Sequence, residues 1–131
     1  MELERVKLHA LLFDDHDGIR RLLARVLKDA GFEVTPLASE QETLARIETG
    51  GFDLLILEYN LGVRSSEEIA KRVKEVQSAI PVFMLCASDG TRAQELIAEG
   101  SVDALFPKPI DLNKFRQNLQ ALIDSRSSPT G

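Results

Sequence analysis

Short apolar runs alternate along the chain with longer stretches whose apolar residues recur every three or four positions. The most uniform run lies in residues 52–62, FDLLILEYNLG, where an aspartate opens four aliphatics and Glu58 closes them. Such a run is a strand buried on both faces, as in a parallel sheet covered by helices. Residues 7–13, KLHALLF, read as another central strand that runs straight into Asp14 and Asp15. Residues 32–37, FEVTPL, form a weaker strand whose Pro36 suits an edge or a strand end. The runs at 81–86, PVFMLC, and 102–106, VDALF, complete a set of five.

The intervening stretches carry helical periodicity and helix punctuation. Asp17-Gly18 opens a helix with Ile19, Leu22, Leu23, Val26, Leu27 and Ala30 on one face, ended by Gly31. Ser39 and Glu42 form a capping box for a second helix, with Leu44 and Ile47 inward and Gly50-Gly51 as its stop. Ser65 and Glu68 do the same for a third helix, which turns Ile69, Val73 and Val76 inward. Thr91 and Gln94 cap a fourth carrying Ala93, Leu96 and Ile97, with Gly100 at its end. Asp111 caps a fifth, with Phe115, Leu119, Leu122 and Ile123 inward. Five strands alternating with five helices predict an α/β fold: a doubly wound five-stranded parallel sheet, helices on both faces, joined by right-handed crossovers.

Length and composition narrow the class further. At 131 residues, 44% of them hydrophobic, the chain is one domain with enough core to fold without staples. No apolar run approaches the roughly 18 residues of a membrane helix, and the charged N-terminus lacks a signal peptide's apolar stretch. One cysteine cannot form an internal disulfide, which suits a reducing cytoplasm. A net charge of −5 argues against nucleic acid as a direct partner. Arg20, Arg21, Arg25 and Lys28 on the outside of the first helix read as a solvated face.

The chemistry gathers at strand ends. Asp14 and Asp15 follow the first strand, Glu58 ends the third and Lys108 follows the fifth. In a doubly wound sheet those ends share one edge, so three carboxylates and one amine converge. Carboxylates that close need a hard cation such as Mg2+, an ammonium, or raised pKa values.

In LLFDD (residues 11–15), FDLLILE (52–58), PVFMLCA (81–87) and FPKP (106–109), in this order and spacing, the chain resembles the receiver domain of two-component response regulators. The resemblance runs from about Lys7 to Asp124, so residues 1–124 are read as a receiver-like domain and SRSSPTG, 125–131, as a flexible tail or the start of a linker. It implies a flavodoxin-like sheet in the order 2-1-3-4-5 and a Mg2+ site at Asp14, Asp15, Glu58 and the Asn60 backbone. It also implies a phosphate-holding role for Lys108 and a cis Lys108–Pro109 peptide. The expected setting is cytoplasmic signalling, with a histidine kinase, an output protein or a second copy of the chain as partner. The face made by the fourth helix, fifth strand and fifth helix, from Thr91 to Arg126, is the expected contact surface. Arg92, Glu95, Glu99, Lys114, Arg116 and Gln117 lie on it.

Departures from that family's pattern redirect the function. Its phosphoacceptor is an aspartate, and here the position holds Glu58. One more methylene advances the nucleophilic oxygen by on the order of 1 Å, a misplacement that can cost about a hundredfold in rate. Cys86 replaces the hydroxyl that would hold a phosphoryl oxygen, and Leu105 replaces the aromatic that rotates on activation. Gly62 stands where a proline usually closes the loop. The reading that follows is a non-enzymatic, phosphorylation-independent receiver, with Glu58 drawn onto Lys108. A Mg2+-dependent, phosphotransfer-competent receiver is the alternative. A remoter one is an aspartate-based phosphatase, because Asp15-x-Asp17-Gly18 resembles the first motif of haloacid-dehalogenase-type enzymes. Cys86 reads as a small buried hydrophobe rather than a redox sensor. His9 lies within a strand, and His16, beside the acid pair, belongs to no metal-ligand spacing.

Overall fold

The computed structural model describes residues 7–59, 63–87 and 91–127. Its strands are β1 (His9–Phe13), β2 (Glu33–Leu37), β3 (Leu54–Glu58), β4 (Val82–Cys86) and β5 (Ala104–Pro107). They alternate with α1 (Asp17–Asp29), α2 (Glu40–Thr49), α3 (Val63–Val76), α4 (Thr91–Glu99) and α5 (Leu112–Ser127). All four strand pairings are parallel, in the order β2-β1-β3-β4-β5. Pro36 sits on the edge strand β2, where its missing N–H faces away from the sheet and costs no ladder bond.

The two-residue period of the strands divides the core. Leu12, Leu54, Ile56, Phe83, Leu85 and Phe106 face one side, where Leu23, Val26 and Leu27 of α1 and Phe115 and Leu119 of α5 cover them. Leu11, Phe13, Leu55, Leu57, Val82 and Met84 face the other, under Ile47 of α2, Ile69 and Val73 of α3, and Ala93 and Leu96 of α4. β3 and β4 are buried at every position, as their unbroken apolar runs require. Phe83, Phe106 and Phe115 form an aromatic triad with centroids 5.0–6.1 Å apart, tying α5 to the sheet.

Several local expectations hold and others shift. Ser39 caps α2 by accepting the Glu42 N–H, and Asp111 accepts the N–H groups of Asn113 and Lys114 at the start of α5. Gly31, at φ +100°, turns the chain out of α1, a conformation that side chains with a Cβ resist. The Lys108–Pro109 peptide is cis. By contrast, α3 starts at Val63, ahead of Ser65, and its first turn is tied down by the next serine. The Ser66 hydroxyl lies 2.8 Å from the Glu58 carbonyl oxygen and 3.0 Å from that of Tyr59. α5 runs on to Ser127, so residues 125–127 are helix rather than tail. Arg126 in that last turn reaches Asp53, whose other oxygen accepts the His9 N–H at the foot of β1.

Leu22, Val76 and Ile97, expected to face inward, are exposed. Leu22 and Ile97 each stand one residue, about 100° of helix rotation, from a buried leucine that occupies the inward arc. Val76 is the last residue of α3. No helix among the described residues is long and apolar enough to cross a membrane.

Phe115→Ala removes the α5 member of the triad and should destabilise the domain by about 4 kcal/mol. Urea unfolding followed by circular dichroism measures it, with a lowered midpoint and an unchanged slope expected.

Candidate functional site

Strand alternation aims the three central side chains. Leu12, Ile56 and Phe106 face the α1–α5 side, and two residues beyond each stand Asp14, Glu58 and Lys108. Three strands thus deliver two acids and an amine to one edge of the sheet. Lys108 Nζ forms an ion pair with Glu58 Oε2 and lies 3.6 Å from Asp14 Oδ2. Both carboxylates are fully buried, and the Lys108 side chain keeps 15% of its exposure. The Lys108 N–H donates to the Cys86 carbonyl at 2.8 Å, anchoring the lysine against the end of β4.

Asp14 is held from both sides. Its Oδ1 accepts the His16 N–H at 2.7 Å, and its backbone carbonyl accepts from Arg20 Nη1 at 2.6 Å. Its Oδ2 is buried and takes part in no hydrogen bond among the described residues. Among the described residues, two buried carboxylates face one ammonium, a formal excess of one negative charge that a cation at this edge would offset. A Mg2+ ion fits that donor set. Asp14 and Glu58 would hold it, and its double charge would more than offset that excess.

Asp15, the second expected ligand, is more than half exposed, with Oδ1 3.2 Å from His16 Nδ1. Among the described residues, the donors that converge within 4.8 Å are those of Asp14, His16 and Glu58. His16 was legible only as a neighbour of the acids. Its backbone N–H folds back onto Asp14 ahead of α1, and that turn brings the ring to the cluster. Asn60, expected to offer its backbone, lies outside the described residues, as does Gly62. Asp17, the second acid of the phosphatase-like motif, is ion-paired with Arg20.

Cys86 and Leu105 belong elsewhere. Cys86 is buried in the cluster beneath α2, α3 and α4, and Leu105 is half-buried against the same cluster. Leucine has neither a ring nor a polar tip with which to signal occupancy at the strand ends.

An ion-pair clasp next to the site had no signal in the sequence, because its halves lie far apart along the chain. Arg92 of α4 grips Glu67 of α3 through two hydrogen bonds, at 3.0 and 2.8 Å, and also contacts Glu95 and Glu99. This grip holds the Glu67 carboxyl below the usual carboxylate range. Burial pushes the neighbouring Tyr59 phenol up, and the Glu67 charge adds to that shift. Three residues expected to greet a partner, Arg92, Glu95 and Glu99, are therefore engaged with one another.

The sequence model of the response regulator receiver domain matches residues 10–120. The chain is 28% identical over 119 residues to the transcriptional regulatory protein TcrA of Mycobacterium tuberculosis, covering 91% of this chain and 46% of that protein. It is 27% identical over 116 residues to the sensor protein EvgS of Escherichia coli, covering 88% of this chain and 10% of EvgS. It therefore spans less than half the length of these curated relatives. Among solved structures, the chemotaxis protein CheY4 of Vibrio cholerae superposes with a TM-score of 0.78 at 25% identity, over 89% of this chain and 99% of that one. A receiver domain protein from Methanospirillum hungatei reaches 0.83 at 19% identity, over 95% and 100%.

Lys108→Ala strands two buried carboxylates and should cost about 3 kcal/mol of stability in urea unfolding. Adding Glu58→Gln to that variant should recover part of the loss, because it leaves Asp14 as the single buried charge.

Proposed function

The chain belongs to the response regulator receiver domain family, and from that premise we propose that it is a receiver acting without phosphorylation, as a protein-interaction module in two-component-type signalling. The observation that carries this reading is the buried Glu58–Lys108 ion pair. In-line phosphoryl transfer depends on exact placement of the acceptor oxygen between the metal and the lysine. Here the longer side chain of Glu58 already meets the amine. A carboxylate supplies one fixed charge, against roughly −1.5 to −2 and three oxygens for a phosphoryl group. The pair therefore stands as a permanent, partial substitute for the modified state.

Recognition in this reading belongs to a surface of fixed shape. The face from Thr91 to Arg126 presents Ile97 to solvent in α4 and Arg116 and Gln117 in α5, while Lys114 Nζ lies 5.7 Å from the Phe106 ring centre. An apolar side chain among charged ones suits a transient contact with a histidine kinase, an output protein or a second copy of the chain. The reading assigns the domain a cytoplasmic place and no catalysis.

A second reading, Mg2+-dependent phosphotransfer, rests on Asp14 and Lys108, which keep positions that such chemistry needs. Incubating the full chain with a small-molecule phosphodonor and Mg2+, followed by intact mass, separates the two. No covalent phosphate is expected on the native chain. A stoichiometric, base-labile adduct on Glu58 would establish the second reading instead. Glu58→Asp shortens the side chain, frees it from Lys108 and should gain measurable labelling under the same conditions.

A further inference from the structure

We propose that His16, together with Asp14 and Glu58, forms a site that selects a borderline first-row divalent metal, of the cobalt or zinc kind, over Mg2+. The family's cation is the hard Mg2+ ion, held by oxygens; the new element is the imidazole. One nitrogen of His16 and one oxygen from each acid lie within 4.8 Å of one another. Donors bonded at about 2.1 Å to a single ion stand about 3 to 4 Å apart, so a contraction of about 1 Å closes the set. The His16 side chain is 63% exposed and can supply that movement, whereas the two acids are locked in the core.

The buried oxygen and the ring's orientation bear on this site. Asp14 Oδ2 is a fully buried oxygen without a hydrogen bond among the described residues, 3.6 Å from Lys108 Nζ. The His16 ring is also turned toward the acids, with Nδ1 3.3 Å from Asp14 Oδ1, although most of the side chain is open to solvent. Imidazole nitrogen binds cobalt, nickel, copper and zinc far better than magnesium, which holds to carboxylates and water. Lys108, 3.6 Å from Asp14, repels every dication alike and so lowers affinity without altering the preference. Asp15 Oδ1 lies 3.2 Å from the same ring nitrogen and would have to yield it to a bound ion.

The test is metal titration of the full chain without any phosphodonor, so its outcome is independent of whether Glu58 can be phosphorylated. Co2+ binding is followed by its ligand-field absorption and then challenged with Mg2+. One equivalent of Co2+ should bind and survive about a hundredfold excess of Mg2+. His16→Ala, which removes an exposed side chain and leaves the core intact, should weaken Co2+ by about tenfold or more while moving Mg2+ affinity by less than about twofold. His9→Ala, in β1, should change neither. Absence of Co2+ binding, displacement by Mg2+ at parity, or equal losses for both metals in His16→Ala would each overturn the proposal.

Discussion

Burying two carboxylates side by side is the constraint to which the rest of this site answers. Asp14 and Glu58 reach the sheet edge from adjacent strands, on the face where neither can turn to water. Removal of such charges from solvent is expensive unless an opposite charge comes with them, and Lys108 is that charge. The lysine can reach because β5 ends on the same face, two residues after the buried Phe106, and because its backbone is pinned to the end of β4. Fold and site are thus one arrangement: parallel strands bring the acids together, and the acids require the amine.

What was legible in the sequence followed from rules with a fixed period. Apolar runs alternating with helical periods carried the order of elements, and strand ends that share one edge of a doubly wound sheet carried the meeting of Asp14, Glu58 and Lys108. Caps at Ser39 and Asp111 were equally local. Helix phase was read less well. Leu22 and Ile97 are apolar neighbours of buried leucines, and apolarity alone cannot say which of two adjacent residues points inward. The Arg92–Glu67 clasp and the Arg126–Asp53 contact join residues 25 and 73 positions apart, where no periodicity helps. His16 escaped for a related reason: its ring reaches the acids through a backbone turn, which ligand spacing does not encode.

In the proposed reading, the same geometry lets the receiver scaffold persist while its chemistry moves. Nothing in the packing of β3 distinguishes Asp from Glu at its end, since both keep the buried charge that Lys108 balances. The added methylene changes only how far the carboxylate reaches, and that reach decides whether the acid waits for a phosphoryl group or spends its charge on the lysine. Cys86 and Leu105 packing quietly into the neighbouring cluster agree with a site that has no occupancy to report.

The most direct measurement is the amide nuclear magnetic resonance spectrum of the full chain with Mg2+, before and after beryllofluoride, a mimic of the bound phosphoryl group. A site closed by the Glu58–Lys108 pair predicts that amides of α4, β5 and α5 keep their positions. Concerted shifts across those three elements would show that the acceptor position is open and its occupancy transmitted, and would contradict a receiver locked by its own ion pair.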